Sequence, residues 1–116
     1  MRRDAAALLQ DILDAATDIR IFLAGRDEAA YAESPLLRAG VERKLEIAGE
    51  AMSRLARLAP EMAAPATDWR SIMGVRNILI HGHAEIEDAL VYRIAREDLD
   101  PPEVEVRRLL DGLDQR

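Results

Sequence analysis

The apolar residues of this chain recur at steps of three and four along nearly its whole length. Leu8, Ile12, Ala15, Ile19 and Phe22 repeat in that way, and so do Leu37, Val41, Leu45, Ala48, Met52 and Leu55. Such spacing puts one apolar stripe on each of two long helices and is incompatible with half-buried strands, whose side chains alternate. Hydrophobic residues make up 49% of the chain but aromatics only 3%, so the core must be built from Leu, Ile, Val, Ala and Met. That composition favours helices packed on helices over a sheet. The 116 residues suffice for one core, and 1–116 is predicted to be a single domain.

Local signals divide the pattern. The first helix is predicted from Asp4 to Leu23, with Gly25 as its stop. "GRDEAAYAE" reads as a polar link, and Ser34-Pro35 starts the second helix with serine as N-cap and proline in the first turn. Gly40 and Gly49 lie inside that helix, each costing about 1 kcal/mol relative to alanine, which suggests close approach of a neighbour. "APEMAAPATDW" breaks the periodicity with two prolines, and a third helix is expected from Thr67 or Asp68 to a cap at Gly82. It carries Trp69, Ile72, Met73, Val75, Ile78, Leu79 and Ile80 and is the most apolar segment, with Trp69 read as core. "EIEDALVYRIARED" is a fourth helix burying Ile86, Leu90, Tyr92 and Ile94. Asp100-Pro101 opens a last one with Val104, Val106, Leu109, Leu110 and Leu113. The predicted architecture is an all-α bundle of about five helices joined by short connections.

Several classes of function are disfavoured. Without cysteine there is no disulfide, thiolate chemistry or cysteine-based zinc site, which fits a cytoplasmic protein. Asp4, Asp11 and Asp14 interrupt what would be a signal-peptide core, and no apolar run reaches membrane-spanning length. A net charge of -6 argues against broad, non-specific nucleic-acid binding but leaves room for a local basic cleft.

Both histidines fall in one stretch, "RNILIHGH", residues 76 to 83. As metal ligands, His81 and His83 would need one or two further donors, and the helical spacing of four is missing; no metal or other cofactor is predicted. Arg76 and His81 stand about 140° apart on an ideal helix, so they do not share a face unless the helix frays at Gly82 or both border an interface. A histidine titrating near neutrality can act as general acid or base, and an arginine offers paired donors to phosphate oxygens. Together they suit metal-free cleavage of a phosphodiester. The same residues also suit a histidine bonding the last helix carbonyls beside an arginine in a surface ion pair, and spacing alone does not decide. His83, just past the cap, is either a loop residue or a second imidazole on the same phosphate path. Glu42, Glu46 and Glu50 repeat at steps of four, repelling one another by roughly 0.2–0.5 kcal/mol per pair. They call for a counter-charge, such as Arg76 or an arginine from a partner, or else form a solvated acidic face.

Four segments carry a family resemblance: "RRDAAALLQDILDAA", "VERKLEIAGEAMSRL", "DWRSIMGVRNILIHG" and "EDALVYRIAREDLDPP". Over most of its length the chain resembles the HepT-like family of the HEPN superfamily. The family signature is an arginine, a polar residue, three more residues and a histidine, and Arg76, Asn77 and His81 fill it. The resemblance implies a homodimeric HEPN-type bundle in which two such motifs meet at a cleft between protomers. It implies a metal-independent endoribonuclease, the toxin of a type VII-like toxin–antitoxin system, with an MNT-type minimal nucleotidyltransferase as antitoxin and RNA as substrate. Arg76 and His81 would be catalytic, with Asn77, Glu46 and His83 in supporting roles. In this family the antitoxin attaches AMP to a tyrosine two residues after the histidine, where this chain has His83. Tyr92 and Tyr31, the only tyrosines, are the remaining candidates for such modification. An alternative is a non-catalytic helper that presents substrate to a nucleotidyltransferase, favoured by the acidic charge and the missing tyrosine.

Overall fold

The computed structural model describes residues 2–63, 69–81 and 88–114, with the backbone alone for Arg2, His81 and Asp114. Among these residues all regular structure is helical. The helices are α1 (Arg2–Leu23), α2 (Glu28–Glu33), α3 (Pro35–Leu58), α4 (Pro60–Ala63), α5 (Arg70–His81), α6 (Asp88–Glu97) and α7 (Asp100–Asp114). The five long ones correspond to the five expected. The two short ones, α2 and α4, lie in segments read from sequence as links.

Capping chemistry explains the boundaries. Gly25 ends α1 with φ of 71°, a left-handed conformation that costs glycine nothing, and the Arg26 N–H closes on the Leu23 carbonyl at 3.0 Å. Asp27 then caps α2, its carboxylate accepting from the Ala30 N–H at 2.8 Å. Ser34 caps α3 as expected, its Oγ accepting from the Leu37 N–H at 3.1 Å with Pro35 in the first turn. Asp100 is the first residue of α7, and the Leu99 carbonyl accepts from the Glu103 N–H at 3.0 Å. The expected start of α5 at Thr67 or Asp68 and its cap at Gly82 lie outside the described residues, as does Ile86.

The long helix α3 is the axis of the bundle, with α1 and α5 packed along it and α7 against the far side of α1. The buried positions of α1 are Ala5, Leu9, Ile12, Leu13, Ala15, Ala16, Ile19 and Leu23. Ile12, Ala15 and Ile19 are core as predicted, whereas Leu8 and Phe22 are only partly buried and border surface clefts. On α3 all six predicted positions, Leu37 through Leu55, are buried. Trp69, Ile72 and Val75 are core, but Ile78 and Ile80 are exposed, because α5 turns only one face to α3. In α6 the buried set is Val91, Ile94 and Ala95, while Leu90 and Tyr92 are half-buried. In α7 Val106 and Leu113 are buried and Val104 is exposed. Arg20 pairs with Asp100 and Glu103, fastening the end of α1 to the start of α7.

Candidate functional site

The site begins with a glycine. A Cβ placed on Gly49 of α3 would lie 2.5 Å from the Arg76 Cβ and 3.1 Å from the Ile72 carbonyl oxygen. Only a residue without a side chain lets α5 approach so closely, so the backbones themselves set where the stem of Arg76 starts. From there the guanidinium turns along α3 and is held at both ends. Its Nη2 pairs with Glu50, the residue after that glycine. Nη1 donates to Asn77 Oδ1 at 3.0 Å. Nε is buried and has no hydrogen-bond partner among the described residues. A guanidinium has five N–H donors, so this arrangement leaves several uncommitted.

Arg76 faces a cleft of about 250 Å³ between three helices. Leu8 and Asp11 of α1 form one wall, and Arg43, Glu46, Glu50 and Arg54 of α3 form the floor. Arg76 and Ile80 of α5 close it. The exposure of Ile80 is therefore that of a cleft-lining residue, one turn beyond Arg76.

The three equally spaced glutamates have three fates. Glu50 meets Arg76, which is the counter-charge anticipated from the sequence. Glu46 is 3.3 Å from Arg43 and shares the cleft with Arg76 without bonding it. Glu42 is not among the residues lining the cleft, and partial burial pushes its carboxyl above the usual range, with Asp88 and Glu46 adding to the rise and Arg38 opposing it.

His81 is the final residue of α5, and its side chain, like the whole of His83, lies outside the described residues. Asn77 is exposed and contacts Arg76 as given above. The two tyrosines sit together outside the cleft lining, with ring centres 5.6 Å apart. Tyr31 is wholly buried, and its hydroxyl has no partner among the described residues. Burial, then the charges of Glu42 and Asp88, pushes that phenol well above its ordinary value, with Arg38 opposing. Tyr92 is half-buried; its hydroxyl donates to the Arg26 carbonyl at 3.0 Å and accepts from Arg96 Nε at 3.0 Å. Sequence reasoning singled out Arg76, Asn77 and the glutamates. It did not find Asp11 or Arg54, which no local pattern distinguishes from ordinary helix-surface residues.

A family model for HepT-like ribonucleases matches residues 12–109. A Methanocaldococcus jannaschii protein named "Putative RNase MJ1380" is 36% identical over 105 residues, covering 90% of this chain and 95% of the relative. A second protein of that organism, "Putative RNase MJ0125", is 25% identical across 99% of this chain and 98% of its own. In a third, "Gamma-glutamylcyclotransferase and putative RNase MJ0434", the matching region is 51% of a longer protein. No solved structure matches the chain. The chain belongs to the HepT-like ribonuclease family. No helix among its described residues is long and apolar enough to cross a membrane.

Proposed function

We propose that this chain is a metal-independent endoribonuclease of HEPN type, residues 1–116 forming one domain that works as a cytoplasmic homodimer. The observation that carries the reading is the anchoring of Arg76. Its stem is fixed against Gly49 and its guanidinium is held by Glu50 and Asn77 at the edge of an open cleft. A side chain so fixed has little freedom left to lose when an anion arrives. In the reaction proposed, His81 takes the proton of a ribose 2'-hydroxyl, whose oxygen attacks the adjacent phosphorus. The P–O5' bond breaks, and a proton is delivered to the departing 5'-oxygen by an imidazole of the dimer site, His81 of either protomer or His83. The products are a 2',3'-cyclic phosphate and a 5'-hydroxyl. Arg76 stabilises the charge that grows on the phosphoryl oxygens, and Asn77 and Glu46 support its placement. No metal or other cofactor enters, because the RNA supplies its own nucleophile.

Within the proposed type VII-like toxin–antitoxin pair, an MNT-type nucleotidyltransferase is the antitoxin. With histidine at position 83, control is proposed to come from covering the cleft or from modifying a residue other than 83. Tyr31, enclosed in the core, is poorly suited to modification, which leaves Tyr92 as the tyrosine in play. The decisive experiment is cleavage of RNA by the purified protein in EDTA, with the 3' ends analysed. Cyclic phosphate ends are expected, and both Arg76→Ala and His81→Ala should remove activity. A strict need for a divalent ion, or full activity in His81→Ala, refutes the mechanism. The net charge of -6 favours a second reading, a non-catalytic helper of a nucleotidyltransferase. That reading expects no growth arrest when the protein is expressed alone.

A further inference from the structure

The Arg76 cleft does not end at Arg54. A second cavity of about 510 Å³ continues from it, lined by Asp4, Asp11, Arg54 and Arg57 among others. Leu8, Asp11 and Arg54 border both spaces, so the two form one groove running along the α1–α3 seam. Its two walls differ in charge. Asp4 and Asp11 stand on α1, whereas Arg54 and Arg57 stand on α3, four and seven residues beyond Glu50. At 1.5 Å per residue, those offsets are about 6 and 10 Å along the helix from the anchor of Arg76.

The arginines of this groove divide by what they already hold. Arg43 has Glu46 and Arg76 has Glu50. Arg54 and Arg57 are exposed, and neither has an ion pair or hydrogen bond among the described residues, even with the aspartates across the groove. Charge unspent on the protein is available to a ligand. An anionic strand entering here would be repelled by the α1 wall and drawn to the α3 wall, which gives it one side to follow.

We propose that this groove is the subsite for RNA nucleotides flanking the scissile phosphate, with Arg54 binding the adjacent phosphate and Arg57 the one after. The inference rests on the reading of Arg76 as the cleavage site. Arg54 is a positioning residue in it. Paired guanidinium donors fit phosphate oxygens, and exposed positions on one helix face track a single strand without reading its sequence.

Two measurements on the full chain test this. The first is fluorescence anisotropy of a labelled single-stranded RNA with His81→Ala protein, in which cleavage is suppressed, over a range of salt. Adding Arg54→Glu should weaken binding about tenfold and make the salt dependence shallower by about one phosphate contact. Arg93→Glu makes the same charge change on the exposed side of α6 and controls for net charge. The second is cleavage kinetics of Arg54→Ala, where the loss should fall on KM more than on kcat. Unchanged affinity and salt slope in Arg54→Glu overturn the subsite, as does an equal loss in Arg93→Glu. If the parent cleaves and Arg54→Glu cleaves alike, the Arg76 reading stands and the groove fails. If nothing cleaves but RNA binding depends on Arg54, the groove stands only as an RNA-binding surface and the cleavage reading fails.

Discussion

Arg96 and Arg76 each cross between helices, and they are held in different ways. Arg96 of α6 reaches the end of α1, where its Nη2 donates to the Leu23 carbonyl at 2.7 Å and to that of Arg26, with Nε on the Tyr92 hydroxyl. Its partners are main-chain oxygens at a helix terminus, groups left over when a helix stops. Arg76 of α5 is held instead by side chains, a carboxylate and an amide, at the rim of a cleft. An arginine spent on carbonyls is part of the fold's own hydrogen bonding, and removing it takes a second donor from each of them. A guanidinium held by a carboxylate beside open space can take a second anion. The same residue type serves architecture at one junction and, in the mechanism proposed, chemistry at the other.

The sharpest way to break that contrast is to delete each arginine. Arg76→Ala should lower RNA cleavage by roughly a hundredfold or more while leaving the thermal midpoint near that of the parent. Arg96→Ala should do the reverse, costing about 1–2 kcal/mol in urea unfolding with cleavage per folded molecule retained. If the two variants exchange phenotypes, the contrast is wrong.

Glycines sharpen it next. Gly49→Ala forces a methyl into the Arg76 stem and the Ile72 carbonyl, and is expected to destabilise by about 1–3 kcal/mol and to depress cleavage. Gly74→Ala, on the exposed side of α5 with nothing within 4 Å, should instead stabilise by about 0.5–1 kcal/mol through helix propensity. Paired melts of the two variants decide this.

The smallest expected effect is at Glu42. Its carboxyl titrates above the ordinary 4.5, so the folded state binds its proton more tightly than the unfolded chain does. Any stability from that preference is complete below the unfolded value and is lost as pH rises through the folded one. Glu42→Gln should therefore raise the melting temperature at neutral pH, by no more than about 0.5 kcal/mol equivalent, and not at pH below the ordinary carboxylate range. A gain that persists unchanged in acid contradicts the assignment.

What the sequence disclosed depended on length and on locality. Five helices of ten residues or more were legible because each carries nearly three turns of apolar period or more. Helices α2 and α4, of six and four residues, are too short to show one, although Asp27 ahead of an Ala- and Glu-rich run was a usable start signal. On α1 the structure buries Leu9 and Leu23 rather than Leu8 and Phe22, and Leu8-Leu9 and Phe22-Leu23 are adjacent apolar pairs. Two stripes one residue apart fit them equally, and only packing against α3 chooses. In the site, Arg76 and the acidic stripe stood out from local spacing, and Asn77 from the family signature. Gly49 was legible as a point of close approach but not as the seat of Arg76. The groove was not legible at all, since its walls come from α1 and α3 and meet only in the fold.

Trp69 gives the molecule an optical consequence. It is the chain's single tryptophan, it is 1% exposed, and it directly precedes α5, the helix that carries Arg76. An indole emits at shorter wavelength in a dry environment than in water, so the colour of intrinsic fluorescence follows the seating of that one helix. Circular dichroism follows the helices together. A variant whose emission shifts to the red with its dichroism intact has lifted α5 from α3, and lost activity in it is lost alignment. A variant that is inactive with both signals unchanged has lost a reacting group.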